Sequence, residues 1–233
     1  MKGLKRLLSF ARRACDDYNM ISEGDTVAVG LSGGKDSLAL LYTMANLKRF
    51  YPVPFELIAV TIDMRFEEIG KEKADFAPIE KLCEELGVKY YIEPSDIAKI
   101  VFDIRKESNP CSLCAKLRRG MLCDAAKRHG ATKIALGHHF DDAVQTFMLN
   151  LFYEGRLGCF SPVLYAQEKD LRYFTSNAEL PVVESECPAN KKTEREEMKT
   201  LLATLERENK GLRHRIFGAM QRAGLDGYKV SKI

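Results

Sequence analysis

Residues 26–50 read TVAVGLSGGKDSLALLYTMANLKRF and join a strand pattern, a glycine-rich turn and a helix pattern in one stretch. Residues 26–31 are apolar and β-branched, as in a buried strand, and the apolar stretch after Ser37 predicts a buried helix. Continuous apolar strands that alternate with helices are typical of a sheet covered on both faces. We therefore expect an α/β fold, a doubly wound parallel sheet. The further strand patterns are FELIAVTID at 55–63, VKYYIE at 88–93 and TKIALG at 132–137.

The turn SGGKDS after the first strand pattern has the composition of a phosphate-binding loop. Successive backbone N–H groups there can surround an anion, and the following helix adds its positive dipole end. The spacing excludes a Walker A loop, because three residues separate Gly30 from Gly34 and Asp36 follows Lys35. The dinucleotide pattern G-x-G-x-x-G is also missing. The predicted nucleotide-binding residues of this loop are Ser32, Gly33, Gly34, Lys35, Asp36 and Ser37.

A second polar segment, LGHHFDDAVQT at 136–146, closes the fourth strand pattern and opens a helix. Ligands of open α/β sheets bind beyond the carboxyl ends of strands, so we expect it beside the glycine loop. Asp141 and Asp142 are candidate Mg²⁺ partners, with an N-cap as the alternative for one of them. One of the two histidines is expected to face the nucleotide and the other to pack. Further nucleotide-binding candidates are Gly137, His138 and Asp63.

Two of the seven cysteines, Cys111 and Cys114, form a CxxC after Pro110. Alone, this pair fits half of a zinc site, a redox pair or the anchor of an iron–sulfur cluster. A second CxxC is missing, and Cys187 is the other cysteine in a setting unlike a helix or strand. The remaining four are expected to pack or to lie in a loop: Cys15, Cys83, Cys123 and Cys159.

Composition limits the classes of protein that this chain can represent. Its 233 residues are 45% hydrophobic, which suits one sizeable core with helical appendages. The charged N-terminus does not resemble a signal peptide, and no apolar run is long enough for a membrane helix, so a cytoplasmic location is expected. The net charge of +3 conceals basic segments at 1–20, 105–129 and 191–233, which favour a polyanionic partner.

Four segments in order carry a resemblance to a known family. SGGKDS resembles the SGGxDS motif of PP-loop ATP pyrophosphatases, and GHHFDDAVQT resembles their GHxxDDxxET signature, with Gln145 in place of Glu. Together with NPCSLCAKLRRG and LPVVESECPANKKTEREEMKTLL, they are similar to the tRNA 2-thiocytidine biosynthesis family from about Gly24 onward. The expected division is a docking helix at 1–20, a PP-loop domain at 21–188 and a helical extension at 189–233.

The resemblance implies an enzyme that adenylates C2–O of cytidine-32 in the tRNA anticodon loop and replaces that oxygen by sulfur. It implies ATP, Mg²⁺ and a [4Fe–4S] cluster on Cys111, Cys114 and Cys187, although some relatives carry a second CxxC where Cys187 stands alone. It further implies tRNA, a sulfur donor such as a cysteine desulfurase or sulfide, and a homodimer as partners. The alternatives are a PP-loop 2-thiouridine synthetase and a non-catalytic iron–sulfur sensor of RNA. The expected catalytic residues are Asp36, Asp141 and Arg118.

Overall fold

The computed structural model describes residues 2–106, 110–149, 161–183, 187–189, 194–224, 228 and 230. The helix pattern that opens after Gly137 predicts a helix through about Tyr153; its end and the predicted loop position of Cys159 lie outside these ranges. The elements are α1 (Leu4–Asp17), β1 (Thr26–Gly30), α2 (Lys35–Leu47), β2 (Glu56–Asp63), a 3₁₀ turn (Phe66–Ile69), α3 (Ala77–Leu86), β3 (Lys89–Pro94), a π-helical segment (Lys99–Arg105), α4 (Pro110–Arg128), β4 (Lys133–Ala135), α5 (Phe140–Leu149), α6 (Glu168–Asn177), α7 (Glu194–Glu208) and α8 (Leu212–Arg222).

The described strands form one parallel sheet in the order β3-β2-β1-β4, which confirms the predicted α/β class. Val29 of β1 pairs with Ala59 of β2 on one side and with Ala135 of β4 on the other. Alternate side chains of β1 point to opposite faces of the sheet. Val27 and Val29 join the core with α1, α2 and α6, whereas Ala28 packs toward α4. Apolar residues on both faces explain why the strand patterns lack alternation.

The order of strands decides where a ligand can bind. The chain runs outward from β1 through β2 to β3 and then returns to place β4 on the other side of β1. The crossover helices accordingly lie on opposite faces of the sheet, with α2 packed beside Val27 and Val29 and α4 packed beside Ala28. Such a switch point leaves a crevice between neighbouring strands.

Helices at both ends of the chain pack onto this sheet domain. The predicted amphipathic helix at the N-terminus is confirmed as α1, which buries Leu7, Ala11 and Cys15. Helices α7 and α8 share a second core with α5, and Met198 and Phe217 are buried there. Within the described ranges, every helix is too short or too polar to cross a bilayer.

Helix α4 begins earlier than the sequence pattern suggested. It starts at Pro110, so both cysteines of the CxxC lie in its first two turns rather than in a loop before it. Proline suits the first turn of a helix because its missing N–H would have no intrahelical acceptor there. The consequence is that Cys111 and Cys114 sit on a regular helix that also carries Arg118.

Candidate nucleotide and cluster site

The glycine loop is held in shape by its own serines. The Ser37 hydroxyl donates to the carbonyl of Gly34 at 2.9 Å and accepts from the N–H of Ser32 at 3.2 Å. Gly33 has φ +79°, and an added Cβ there would come within 2.9 Å of the Val183 Cβ. The first N–H groups of α2 have no intrahelical acceptor, so the loop presents donors for an anion.

The loop after β4 touches the start of α2 at Gly137. A Cβ at this position would lie 2.9 Å from both the carbonyl carbon of Asp36 and the nitrogen of Ser37. Backbone atoms cannot move aside as a flexible side chain can. Gly137 therefore lets β4 approach the glycine loop directly.

Replacing Gly137 with Ala tests whether the close contact between the loop after β4 and the start of α2 needs a glycine. We expect Gly137→Ala to lower the free energy of unfolding by about 1–3 kcal/mol, the usual cost of overpacking, and to weaken ATP binding because the start of α2 is displaced. The matched control is Gly120→Ala, since a Cβ at this helical position meets nothing within 4 Å. Gly120→Ala should be neutral or stabilising by up to about 1 kcal/mol. Urea unfolding and ATP titration measure both effects, and unchanged stability of Gly137→Ala would contradict the packing argument.

A cavity of about 420 Å³, here called the nucleotide cavity, opens at this switch point. Asp36 lies on the wall of this cavity, and its two carboxylate oxygens have different surroundings. Its Oδ2 accepts from the Lys35 ammonium at 2.8 Å. Its Oδ1 is buried and accepts no hydrogen bond from any residue in the described part of the chain. The polar and charged residues of the cavity are Ser32, Asp36, Ser37, Arg118, Arg119, His138, Asp142 and Arg195.

The two histidines before α5 have different positions. His139 is buried and closes a reciprocal capping box with Asp142. The N–H of His139 donates to Asp142 Oδ2 at 3.1 Å, and the N–H of Asp142 donates to His139 Nδ1 at 3.3 Å. His138 lines the nucleotide cavity. Asp142 therefore caps its helix with one oxygen while its Oδ1 contacts Arg195 at 3.1 Å beside the cavity.

Asp141 points away from the nucleotide cavity, against the expectation of a neighbouring acidic pair. Its carboxylate accepts from the Arg213 guanidinium at 2.6 Å and from the N–H of Glu168 at 2.8 Å. It lines a separate cavity of about 740 Å³ between α6 and α8. Consecutive helical residues are rotated by about 100°, and on α5 Asp141 contacts Arg213 whereas Asp142 contacts Arg195. In this structure the acids of the nucleotide cavity are therefore Asp36 and Asp142.

A cavity of about 380 Å³, the cysteine cavity, adjoins the nucleotide cavity and shares Ser32 and Arg118 with it. Cys114, Cys187 and the predicted nucleotide residues Gly34 and Asp63 lie on its wall.

The three predicted cluster ligands interact through their charges. Burial raises the pKa of the Cys111 thiol, and the charge of Cys187 raises it further. Burial also raises the pKa of Cys114, and the nearby Arg118 guanidinium, which hydrogen-bonds the thiol, opposes that effect. Cys187 and Cys111 each add to the rise at Cys114. Cys114 and Cys187 line one cavity, and Cys111 lies one turn before Cys114 on α4.

The cysteine set has the ligand chemistry of a cluster site. In the described ranges, no three His, Cys, Asp or Glu residues are grouped as the ligands of one metal ion. Thiolates are also the ligands that iron–sulfur clusters require. Cys111, Cys114 and Cys187 would hold such a cluster through three irons.

A backbone contact connects the Cys187 segment to the glycine loop. The N–H of Val183 donates to the carbonyl of Gly33 at 3.0 Å, and the Val183 side chain packs against the same glycine. Val183 also lines the cysteine cavity. The chain that leads toward Cys187 is therefore held directly against the glycine loop.

Sequence patterns missed Glu168, which joins the glycine loop to the C-terminal helices. Its carboxylate pairs with Lys35 at 3.6 Å, Lys199 at 3.1 Å and Arg172 at 2.9 Å. Burial would raise the pKa of Glu168, but the hydrogen bonds from Lys199 and Arg172 outweigh it and lower the pKa from 4.5 to about 2. Lys35 and Lys199 lie far from Glu168 in the sequence, and the sequence signal for this network was the basic composition of residues 191–233.

The Glu168 network should make stability depend on pH. Because the folded pKa is lowered, the carboxylate stabilises the protein above pH 4.5 and this contribution is lost as the pH falls toward 2. We expect Glu168→Gln to lower the free energy of unfolding by up to about 3 kcal/mol at pH 7, and by less than half of that at pH 3. Urea unfolding at both pH values measures the difference. Glu197→Gln, at an exposed position of α7, is the control, and equal losses for Glu168→Gln at both pH values would refute the argument.

Comparison with known proteins agrees with this geometry. The PP-loop domain profile matches residues 7–173. The tRNA-cytidine(32) 2-sulfurtransferase of Pseudomonas putida strain GB-1 is 37% identical over 233 residues, which cover 93% of this chain and 83% of the relative. The chain belongs to the tRNA-cytidine(32) 2-sulfurtransferase family of PP-loop proteins. The corresponding protein of Dichelobacter nodosus, another member of this family, is also 37% identical and covers 94% of this chain and 86% of its own.

Solved structures agree with the α/β fold. The U34-tRNA thiolase NcsA from Methanococcus maripaludis, solved with its [4Fe-4S] cluster, is 26% identical with a TM-score of 0.77 and covers 95% of this chain and 78% of its own. NMN synthetase from Francisella tularensis, at 16% identity and a TM-score of 0.52, shares the fold alone and covers 95% of this chain and 93% of its own. The predicted membership of the tRNA 2-thiocytidine family is confirmed.

Proposed function

We propose that this protein is an ATP-dependent tRNA sulfurtransferase that replaces O2 of cytidine-32 in the anticodon loop by sulfur. The observation that carries the proposal is the adjacency of the two cavities, with Arg118 on the wall of both. The glycine loop and two of the three predicted cluster cysteines, Cys114 and Cys187, thus open onto one space. The names of the relatives and the cluster of the neighbouring thiolase support the same reaction.

The glycine loop and the start of α2 would bind the β and γ phosphates of ATP through backbone N–H groups. This placement leaves the α phosphorus directed toward the shared space of the two cavities. Asp36 and Asp142 would hold Mg²⁺, since carboxylate oxygens are its preferred protein ligands and Asp36 Oδ1 is buried without a hydrogen bond within the described residues. Bound there, Mg²⁺ would neutralise charge on the phosphates.

The chemistry has two displacement steps. The cytidine O2 attacks the α phosphorus, the bond to the β-phosphate oxygen breaks, and pyrophosphate leaves. Hydrosulfide then attacks C2, the C2–O bond breaks, AMP leaves, and the sulfur keeps its proton or loses it to solvent. Positioning and electrostatic stabilisation supply most of the rate in such transfers.

Residues around Arg118 suit the second step. Cys111, Cys114 and Cys187 would hold the cluster, whose fourth iron, when the cluster is bound, lacks a protein ligand and is open to a sulfur species. Arg118 lies between the cysteines and the nucleotide cavity, where its guanidinium can stabilise negative charge on the departing AMP. The target base must leave its stack to reach this space, which favours an unpaired loop nucleotide.

The base specificity is tested by AMP formation with defined tRNA transcripts. Anaerobically reconstituted protein, ATP, Mg²⁺ and sulfide should release AMP in the presence of tRNA with cytidine at position 32. A transcript with uridine at position 32 should release none. AMP release that is independent of tRNA would contradict the proposal, and release that depends on uridine at position 34 would reassign the enzyme to 2-thiouridine synthesis.

A further inference from the structure

Arg195 contacts the nucleotide site from outside the sheet domain. It lies at the start of α7, more than 150 residues from the glycine loop in sequence, and it lines the nucleotide cavity. One guanidinium nitrogen contacts Asp142 Oδ1 at 3.1 Å, and the other donates to the Thr146 hydroxyl at 3.2 Å. Its side chain is 45% exposed, whereas that of Asp142 is 17% exposed.

Helix α7 does not depend on Arg195 for its position. Met198 and Leu202 are 4% and 1% exposed in the second core, where they pack with α5 and α8. One turn after Arg195, Lys199 pairs with Glu168. The helix is thus fixed by apolar burial and by a separate ion pair. A half-exposed arginine that the helix does not need for docking is available for a ligand.

The charges of the nucleotide cavity indicate what kind of ligand Arg195 would bind. Asp142 is one of the two acids on the wall, and Arg195 is its ion-pair partner. A cation at Asp142 would compete with the guanidinium for the same carboxylate. A triphosphate that enters with that cation offers the guanidinium new oxygen acceptors at the same edge of the cavity. Arginine is well suited to such an exchange because its forked donors match phosphate oxygens.

We propose that Arg195 binds the polyphosphate of ATP, and that its ion pair with Asp142 keeps it at the edge of the nucleotide cavity until ATP arrives. This inference rests on the proposed function, because it requires ATP in the nucleotide cavity. It assigns to the C-terminal helix α7 a residue of the nucleotide site. The contact involves the phosphates beside Asp142, which AMP lacks.

Titration of ATP and AMP in the presence of Mg²⁺ tests the assignment on the full chain. Arg195→Ala should weaken ATP binding about 10–100-fold, because it removes one or two charge-assisted hydrogen bonds to the phosphates. AMP binding should stay within about twofold. Arg195→Lys, which keeps the charge and loses the fork, should fall between Arg195→Ala and the unchanged protein. Arg207→Ala, at an exposed position of the same helix, should bind ATP like the unchanged protein.

Two results would overturn the inference. ATP affinity that is unchanged in Arg195→Ala would show that Arg195 only caps the acid. Equal losses for ATP and AMP would show that the substitution disturbs the cavity as a whole. The proposed function fails separately, when the unchanged protein binds ATP but forms no thionucleoside. A protein that binds no ATP would remove both.

Discussion

Asp36→Asn is expected to lower the rate of tRNA thiolation at least about 10³-fold. The buried Oδ1 of Asp36, which accepts no hydrogen bond within the described residues, is the observation that favours a cation site in the nucleotide cavity. An amide keeps the shape of the side chain but removes the charge that would hold Mg²⁺. It also releases Lys35, which pairs with the other oxygen at 2.8 Å.

The measurement is single-turnover AMP formation with saturating tRNA. Asp124→Asn, at an exposed position of α4, is the matched control and should keep the original rate. The Asp36→Asn protein should still assemble its cluster, because Asp36 does not line the cysteine cavity. A rate within tenfold of the original would exclude Asp36 from the metal site.

Cys114→Ser is expected to abolish thiolation and to prevent assembly of an intact cluster. Cys114 lies on the wall of the cysteine cavity and hydrogen-bonds Arg118, and its pKa responds to both Cys111 and Cys187. A hydroxyl is a poor ligand for iron in place of a thiolate. Binding of ATP should persist, since Cys114 is not part of the nucleotide cavity.

Iron and sulfide content, with the visible absorption of the reconstituted protein, measures the cluster. Cys123→Ser, on the same helix, is the control and should keep both cluster and activity. The same assay on Cys187→Ala tests the third ligand, which the sequence assigned by position rather than by a complete motif. Full cluster occupancy in either Cys114→Ser or Cys187→Ala would remove that cysteine from the ligand set.

The structural features that are set by residues close together in the sequence could be predicted from it. The four strands and the glycine loop follow from short apolar runs and from Gly33, whose φ of +79° favours glycine. The parallel order followed from the alternation of strands with helices. The resemblance then supplied Cys187, which no local pattern marks as a ligand.

Features that depend on helix rotation and on distant partners were not predictable. The sequence places Asp141 and Asp142 side by side, and only the orientation of α5 against the sheet separates their carboxylates. Arg213 and Arg195 reach these two acids from 72 and 53 positions away. A basic C-terminal composition suggested RNA binding and did not reveal that two of its arginines pair with these acids.

Nucleoside analysis of digested tRNA tests the central claim most directly. The anaerobically reconstituted protein is incubated with unmodified tRNA, ATP, Mg²⁺ and sulfide, and AMP is counted alongside the modified nucleoside. We expect 2-thiocytidine at position 32, with one AMP formed for each sulfur inserted. Absence of any thionucleoside from a protein that binds both its cluster and ATP would contradict the proposed function.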